Sequence, residues 1–192
     1  MSESNSTLVV ALKFAVACEA VQVPYFLGGS VASSLQGQPR HTQDIDFVVE
    51  LTARQVPDLI RALGPDFEVD DEALIDAVQR KRSWNIFFLP EVMRLALFIA
   101  GDSEFDRLEL ARRQKIELLP GRFLFVKSPE DSVLRKLSWY LAGGEQMNSQ
   151  WKDVVEILRV QRDRLDAQYL NHWAPQLGIQ HLLARALSEA AP

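Results

Sequence analysis

Asp44 and Asp46 stand one residue apart in TQDIDFVVE, a run whose Ile45, Phe47, Val48 and Val49 otherwise read as a buried β-strand. An uncompensated carboxylate is expensive in such a strand, so a cation is expected beside them. On a strand, residues i and i+2 face the same way, about 7 Å apart at Cα for a rise of roughly 3.4 Å per residue. The two aspartates therefore project together while Ile45 and Phe47 point inward. A carboxylate pair of this kind can clamp divalent cations for in-line phosphoryl transfer. Magnesium fits best, because it takes oxygen ligands and keeps substrate phosphates among them.

Upstream, the apolar run Tyr25-Phe26-Leu27 leads into Gly28, Gly29 and Ser30. The glycines let backbone approach an anion closely, and Ser30 opens a helix whose free N–H groups and dipole favour phosphate. A phosphate cradle and a metal clamp on adjacent elements point to a nucleoside triphosphate held by its tail. Arg40 and His41, just before the aspartates, could meet phosphate or a nucleic-acid acceptor, with a solvated loop as the alternative. Taken alone, a Gly-Gly-Ser turn is an ordinary turn and an Asp-x-Asp strand a solvated edge. The chain contains neither GxxxxGK[ST] nor GxGxxG, which excludes a P-loop and gives no support to a Rossmann site.

The elements that must position these residues follow from pattern and punctuation. Residues 8–21 read as a first helix ended by Pro24, and Tyr25–Leu27 as a strand. A helix after Gly29 turns Val31, Ala32 and Leu35 to the core, and Ile45–Val49 is the second strand. Thr52 caps the next helix, with Val56, Leu59, Ile60 and Leu63 as its apolar stripe and Gly64-Pro65 as its end. A polar helix over 70–82 precedes strands at 84–89 and 94–100. The helix FDRLELARRQ leads to a hairpin of strands 115–118 and 122–126 about Pro120-Gly121. From Ser128 onward the chain reads as helix, with Ser128 as N-cap, Pro129, Glu130 and Asp131 in the first turn, and Val133, Leu134, Leu137 and Leu141 as the stripe. The layout is α+β, a mixed sheet followed by a helical bundle.

Composition narrows the classes further. With 192 residues, 47% apolar and 24% charged, the chain is of ordinary globular make-up. A net charge of -5 and a pI near 5.3 argue against a general grip on nucleic acid. Cys18, the single cysteine, sits in AVACEAV and reads as a small core residue. His172 and His181 lack partners at ligand spacing, so zinc chemistry is unsupported and helix packing is expected for both. No basic-then-apolar leader and no run of about 18 apolar residues is present, and a cytoplasmic chain with no membrane partner is expected.

Taken jointly, apolar-Gly-Gly-Ser, a short helix and Thr-x-Asp-Ile-Asp-apolar resemble the defining motif of the nucleotidyltransferase superfamily related to DNA polymerase beta. The downstream LLPGRFLFVKSPEDSVLRKLSWYLAGGEQMNSQWKDVVEIL is similar to bacterial stand-alone members, where a Ser-Pro-Glu-Asp helix carries a lysine and a later helix carries Trp-x-Asp. The resemblance spans most of residues 20–160. It implies a nucleotidyltransferase fold, a small mixed β-sheet flanked by helices over 1–127 with a C-terminal helical region over 128–192. It also implies that Gly29 and Ser30 bind the triphosphate, that Asp44 and Asp46 bind magnesium and serve catalysis, and that Lys136 reaches the triphosphate. Asp153 reads instead as an ion-pair or capping group.

In the same superfamily a third carboxylate on a later strand helps activate the acceptor hydroxyl, and the matching segment here, RLALFI, has Ala96 at that place. Loss of such a base commonly costs about 10² to 10⁴ in rate. Asp102, Glu91 and Glu104 are the nearest other carboxylates. Two readings follow from the resemblance. One is an active enzyme that transfers a nucleoside monophosphate from Mg-bound triphosphate to a hydroxyl of a protein, RNA or small molecule. The other is a degenerate nucleotide-binding or regulatory protein, as in a toxin–antitoxin pair, with a protein partner.

Overall fold

The computed structural model describes residues 3–38 and 44–191, and the chain divides into two compact units. Of the described residues, the first takes in 3–31 and 44–127, and the second 32–38 and 128–191.

The first unit is built on a seven-stranded sheet of order β3-β4-β5-β2-β1-β7-β6. Its strands are β1 (Tyr25–Leu27), β2 (Ile45–Val49), β3 (Phe67–Glu68), β4 (Ser83–Phe88), β5 (Met93–Ile99), β6 (Gln114–Leu119) and β7 (Arg122–Val126). The sheet is mixed. β2 runs parallel to β5 and antiparallel to β1, β1 runs parallel to β7, and the β3-β4-β5 and β6-β7 neighbours are antiparallel. The register between β6 and β7 shifts between Glu117 and Leu119.

Alternation along the central strands gives the sheet two chemically different faces. Ile45, Phe47 and Val49 of β2 are buried, as are Leu95, Leu97 and Ile99 of β5, whereas Asp46 and Val48 are half-buried and Arg94 and Phe98 exposed. Phe47 is anchored by Phe14, 4.5 Å away between ring centroids, and by the edge of Tyr25 at 5.8 Å. Phe14 comes from α1 (Glu3–Ala20), which begins about five residues before the apolar pattern suggests. Cys18 on the same helix is fully buried. Burial first, then the neighbouring Glu19 charge, pushes its thiol pKa up, so it is an inert packing group.

Several boundaries depart from the sequence reading for local reasons. α3 (Val56–Leu63) starts four residues after Thr52, because a helix begun at Ala53 would place Pro57 where an amide must donate; here Pro57 lies in the first turn. Thr52 instead holds the Gln55 side chain, its Oγ1 donating to Oε1 at 2.7 Å. Gly64 ends α3 with φ of 74°. α4 (Asp71–Gln79) is capped by Asp70, which accepts from the Ala73 amide, and α5 (Glu104–Ala111) by a capping box of Ser103 and Asp106. β3 is two residues long and carries too little pattern to be anticipated.

The second unit is helical. Five residues of α2 (Gly29–Gln36) fall in it, with α6 (Pro129–Ala142), α7 (Asn148–Gln161), α8 (Ala167–Gln176) and α9 (Gln180–Ala190). The Ser128 side chain accepts from the Asp131 amide at 3.1 Å, the cap expected for α6. Val133, Leu134 and Leu137 are fully buried, but Leu141 is 37% exposed and Tyr140 takes its inward place. Leu35 on α2 is likewise exposed, not in the core. His172 and His181 are exposed as well, so neither packs inside a helix interface. Truncating Phe47 to alanine removes the aromatic anchor under β2 and should lower unfolding free energy by about 3–5 kcal/mol in urea titrations.

Candidate functional site

The chemistry concentrates where β1 ends and β2 begins. The Gly28 amide donates to the Asp46 carbonyl at 2.8 Å, so it extends the β1–β2 pairing and its donor is already used. Gly29 opens α2 in the left-handed region, φ of 58°. A Cβ built on it would overlap the Asp46 carboxylate, 2.6 Å from its Cγ. The acid and the turn are therefore in direct contact, and glycine is required there for both conformation and space. Ser30 follows as the second residue of α2, half-buried. Among the sites inferred from sequence, Gly28, Gly29, Ser30 and Asp46 are thus one contiguous group.

Asp44 immediately precedes β2 and is exposed. Its Oδ1 accepts from an Arg94 guanidinium nitrogen at 2.6 Å. This supplies the cation that aspartates on a strand call for. Arg94 was not singled out by sequence, because it lies 50 residues away in the chain. Its only sequence signal is the two-residue spacing from Ala96, which puts both on one face of β5.

The β2–β5 register pairs Asp46 with Ala96 directly, and β4 continues the row with Asn85. The position beside Asp46 is therefore held by a methyl group and the next by an amide. Asp102, the nearest downstream acid, is 81% exposed and paired with Lys81 at 3.3 Å. Glu91 accepts from the Ser6 hydroxyl, and Glu104 lies in the first turn of α5. Among the described residues no group of three or more His, Cys, Asp or Glu side chains is placed to hold a metal ion. Asp44 and Asp46 are the hard oxygen donors that could hold one magnesium ion, which would need other ligands to complete its shell.

A second charged group near the turn escaped the sequence reading. Lys127, just past β7, and Glu109 on α5 form a salt bridge of 3.0 Å with both side chains 5% exposed. The Lys127 ammonium lies 5.1 Å from the centroid of the Phe26 ring, and its stem passes 4.0 Å from where a Gly28 side chain would begin. A lone lysine ending the apolar run FLFVK is the signal that could have marked it.

Arg40 and His41 lie outside the described residues. Lys136, in the second unit, is buried, and its ammonium donates to Asp153 and to Gln150, each at 2.9 Å. Asp153 is thus an ion-pair group, as its place after Trp151 suggests. Nearby on α6, Asp131 accepts from the Tyr169 hydroxyl at 2.7 Å, and Glu130 accepts from the Asp166 amide at 2.9 Å. The Ser-Pro-Glu-Asp segment therefore ties α6 to the start of α8. A cleft of about 470 Å³ in the first unit, lined in part by Lys13, Lys115 and Arg122, shares no residue with this group.

The antibiotic-resistance factor ANT(2'')-Ia in solution aligns over 95% of this chain and 96% of its own, with a TM-score of 0.53 and 15% identity. The chain carries the nucleotidyltransferase fold. A crystal structure of ANT(2'')-Ia in complex with adenylyl-2''-tobramycin aligns over 92% of this chain and 99% of its own, at a TM-score of 0.54 and 12% identity. An antigenic nucleotidyltransferase-like protein from Paracoccidioides brasiliensis covers 93% and 92% of the two chains, at 0.52 and 16%. No protein-family model and no curated protein matches by sequence. The α+β architecture with a mixed sheet agrees with the sequence-derived expectation. No described helix is long and apolar enough to cross a membrane.

Two outcomes test this architecture. Gly29→Ala must adopt a left-handed backbone against the Asp46 carboxylate and should cost at least about 1 kcal/mol, read as a lowered thermal midpoint. Asp153→Ala removes the carboxylate paired with the buried Lys136 ammonium and should cost about 3 kcal/mol, whereas the apolar pair Lys136→Met/Asp153→Leu should recover most of it.

Proposed function

We propose that the protein binds a nucleoside triphosphate at the Gly28–Ser30 turn, with magnesium on Asp44 and Asp46, and that nucleotidyl transfer is slow or lost. The observation that carries this reading is the β2–β5 register, in which Asp46 abuts Gly29 on one side and meets Ala96 on the other. The first half is a nucleotide site: a glycine turn, a helix start and an acid in contact. The second half removes the group that would activate an acceptor hydroxyl.

In this reading the first turn of α2, Ser30 included, holds phosphate oxygens, because the Gly28 amide is already spent on β2. Asp44 and Asp46 hold the cation, which when bound neutralises phosphate charge and orients the chain of phosphates. Arg40 is proposed as a further phosphate contact. Lys136 is given no phosphate contact in this reading, since its ammonium is committed to Asp153 and Gln150 within the second unit. The fold shared with ANT(2'')-Ia, which was crystallised in complex with adenylyl-2''-tobramycin, supports a nucleotide site.

The active alternative has the same site and transfers a nucleoside monophosphate to a hydroxyl of a protein, RNA or small molecule, releasing pyrophosphate. It is favoured if an acceptor outside the sheet row supplies its own base. A regulatory part in a two-protein pair, such as a toxin–antitoxin system, fits the weakened version.

Titration of a fluorescent triphosphate with magnesium separates these readings from a bare scaffold. Wild type should bind, and Asp44→Ala/Asp46→Ala should weaken binding about tenfold or more. Equal binding by both proteins would sink the nucleotide site. Pyrophosphate release should be near background in wild type and rise at least about tenfold in Ala96→Asp, but not in Ala96→Asn, which matches its size without the base. Brisk release by wild type, lost in Asp46→Ala, would favour the active enzyme.

A further inference from the structure

Arg94 makes a 2.6 Å ion pair with Asp44, and the two side chains are 47% and 58% exposed. An ion pair this open to solvent adds little to stability and exchanges readily. Yet it engages one of only two acids proposed to hold the cation. With Arg94 held on its Oδ1, Asp44 has its charge already neutralised, so guanidinium and divalent ion compete for the same negative charge. The guanidinium fork fits phosphate as well as carboxylate. It stands on the face of β5 that carries Ala96, and the strand register sets that face beside Asp46 and hence beside the turn that Asp46 touches.

Resting on the nucleotide reading above, we propose that Arg94 is a phosphate-binding residue parked on Asp44, and that ligand binding exchanges its partner. Without ligand, Arg94 neutralises Asp44 and suppresses binding of a free divalent cation. When triphosphate arrives with its cation, Asp44 turns to the cation and Arg94 to a phosphate oxygen. No bond is made or broken covalently; one carboxylate–guanidinium contact is replaced by two contacts of opposite charge. The two ligands then bind cooperatively, since a cation alone meets the Arg94 charge beside Asp44 with nothing to draw it away, whereas the phosphate tail draws it off. The site is thereby biased against a bare metal and toward the metal–triphosphate complex.

The test measures two affinities on the full chain. Mn²⁺ alone is titrated by electron paramagnetic resonance, and a fluorescent triphosphate is titrated in the presence of magnesium, for wild type, Arg94→Ala, Arg94→Gln and Arg94→Lys. Circular dichroism melts establish that each variant is folded; the half-exposed position makes this the expected result, and Arg94→Gln keeps most of the side-chain bulk if alanine does not fold. Arg94→Ala and Arg94→Gln should bind Mn²⁺ about two- to five-fold more tightly and the triphosphate about tenfold more weakly, with Arg94→Lys between them and wild type. A merely structural ion pair would not move the two affinities in opposite directions. Unchanged or weaker Mn²⁺ binding in both neutral variants overturns the exchange, as does unchanged triphosphate binding. If wild type binds neither probe, or Asp46→Ala binds both as wild type does, the underlying nucleotide reading fails and takes the exchange with it. Those outcomes are distinct from a failure confined to Arg94.

Discussion

The parallel pairing of β2 with β5 is the constraint on which the site depends. Side chains along a strand alternate with a period of two, so one register fixes the neighbours of every residue on both faces. Pairing Ile45 with Leu95 and Phe47 with Leu97 closes the apolar face over Phe14 and its neighbours. The same register leaves no freedom on the other face, where Asp46 must lie beside Ala96. A slip of one residue would bury Asp46 and expose Phe47. Core packing, not the site itself, therefore determines which groups meet in the site.

Charge is handled differently according to depth. In the first unit Lys127 and Glu109 neutralise each other in nearly complete burial, and in the second Lys136 does the same with Asp153 and gains Gln150 as a further acceptor. Such pairs are costly to break one partner at a time, so they hold elements in fixed relation. The Asp44–Arg94 pair lies in solvent and carries no such penalty. The contrast separates charges that set the frame from a pair that water already reaches.

What could be read from sequence was what local chemistry determines. Tyr25–Leu27 and Ile45–Val49 are bounded by Pro24, Gly28 and the change to polar residues, and Ser128-Pro129-Glu130-Asp131 encodes its own cap. The sequence put Gly29 and Asp46 on adjacent elements, and their direct contact emerges only in the fold. Arg94 was not legible, because its partner is fixed by strand register and not by chain neighbourhood. Lys127 and Glu109 meet because tertiary packing brings helix α5 against the end of β7, which local pattern does not state. Leu35 and Leu141 fit helical stripes but end up exposed, since a stripe states only that a helix has an apolar side, not how far its partner extends along it. Pro57 shows the converse, where one residue's missing amide overrides an otherwise good helical pattern and moves its start to Val56.

The borders of the sheet bear on how the chain behaves in company. On one side it ends in β3, two residues long, and on the other in β6, where Gln114, Lys115 and Glu117 are polar or charged and the ladder shifts near Leu119. A brief strand and an irregular, charge-bearing one are poor templates for strand addition by another chain. Self-association through the sheet is thereby discouraged at high protein concentration.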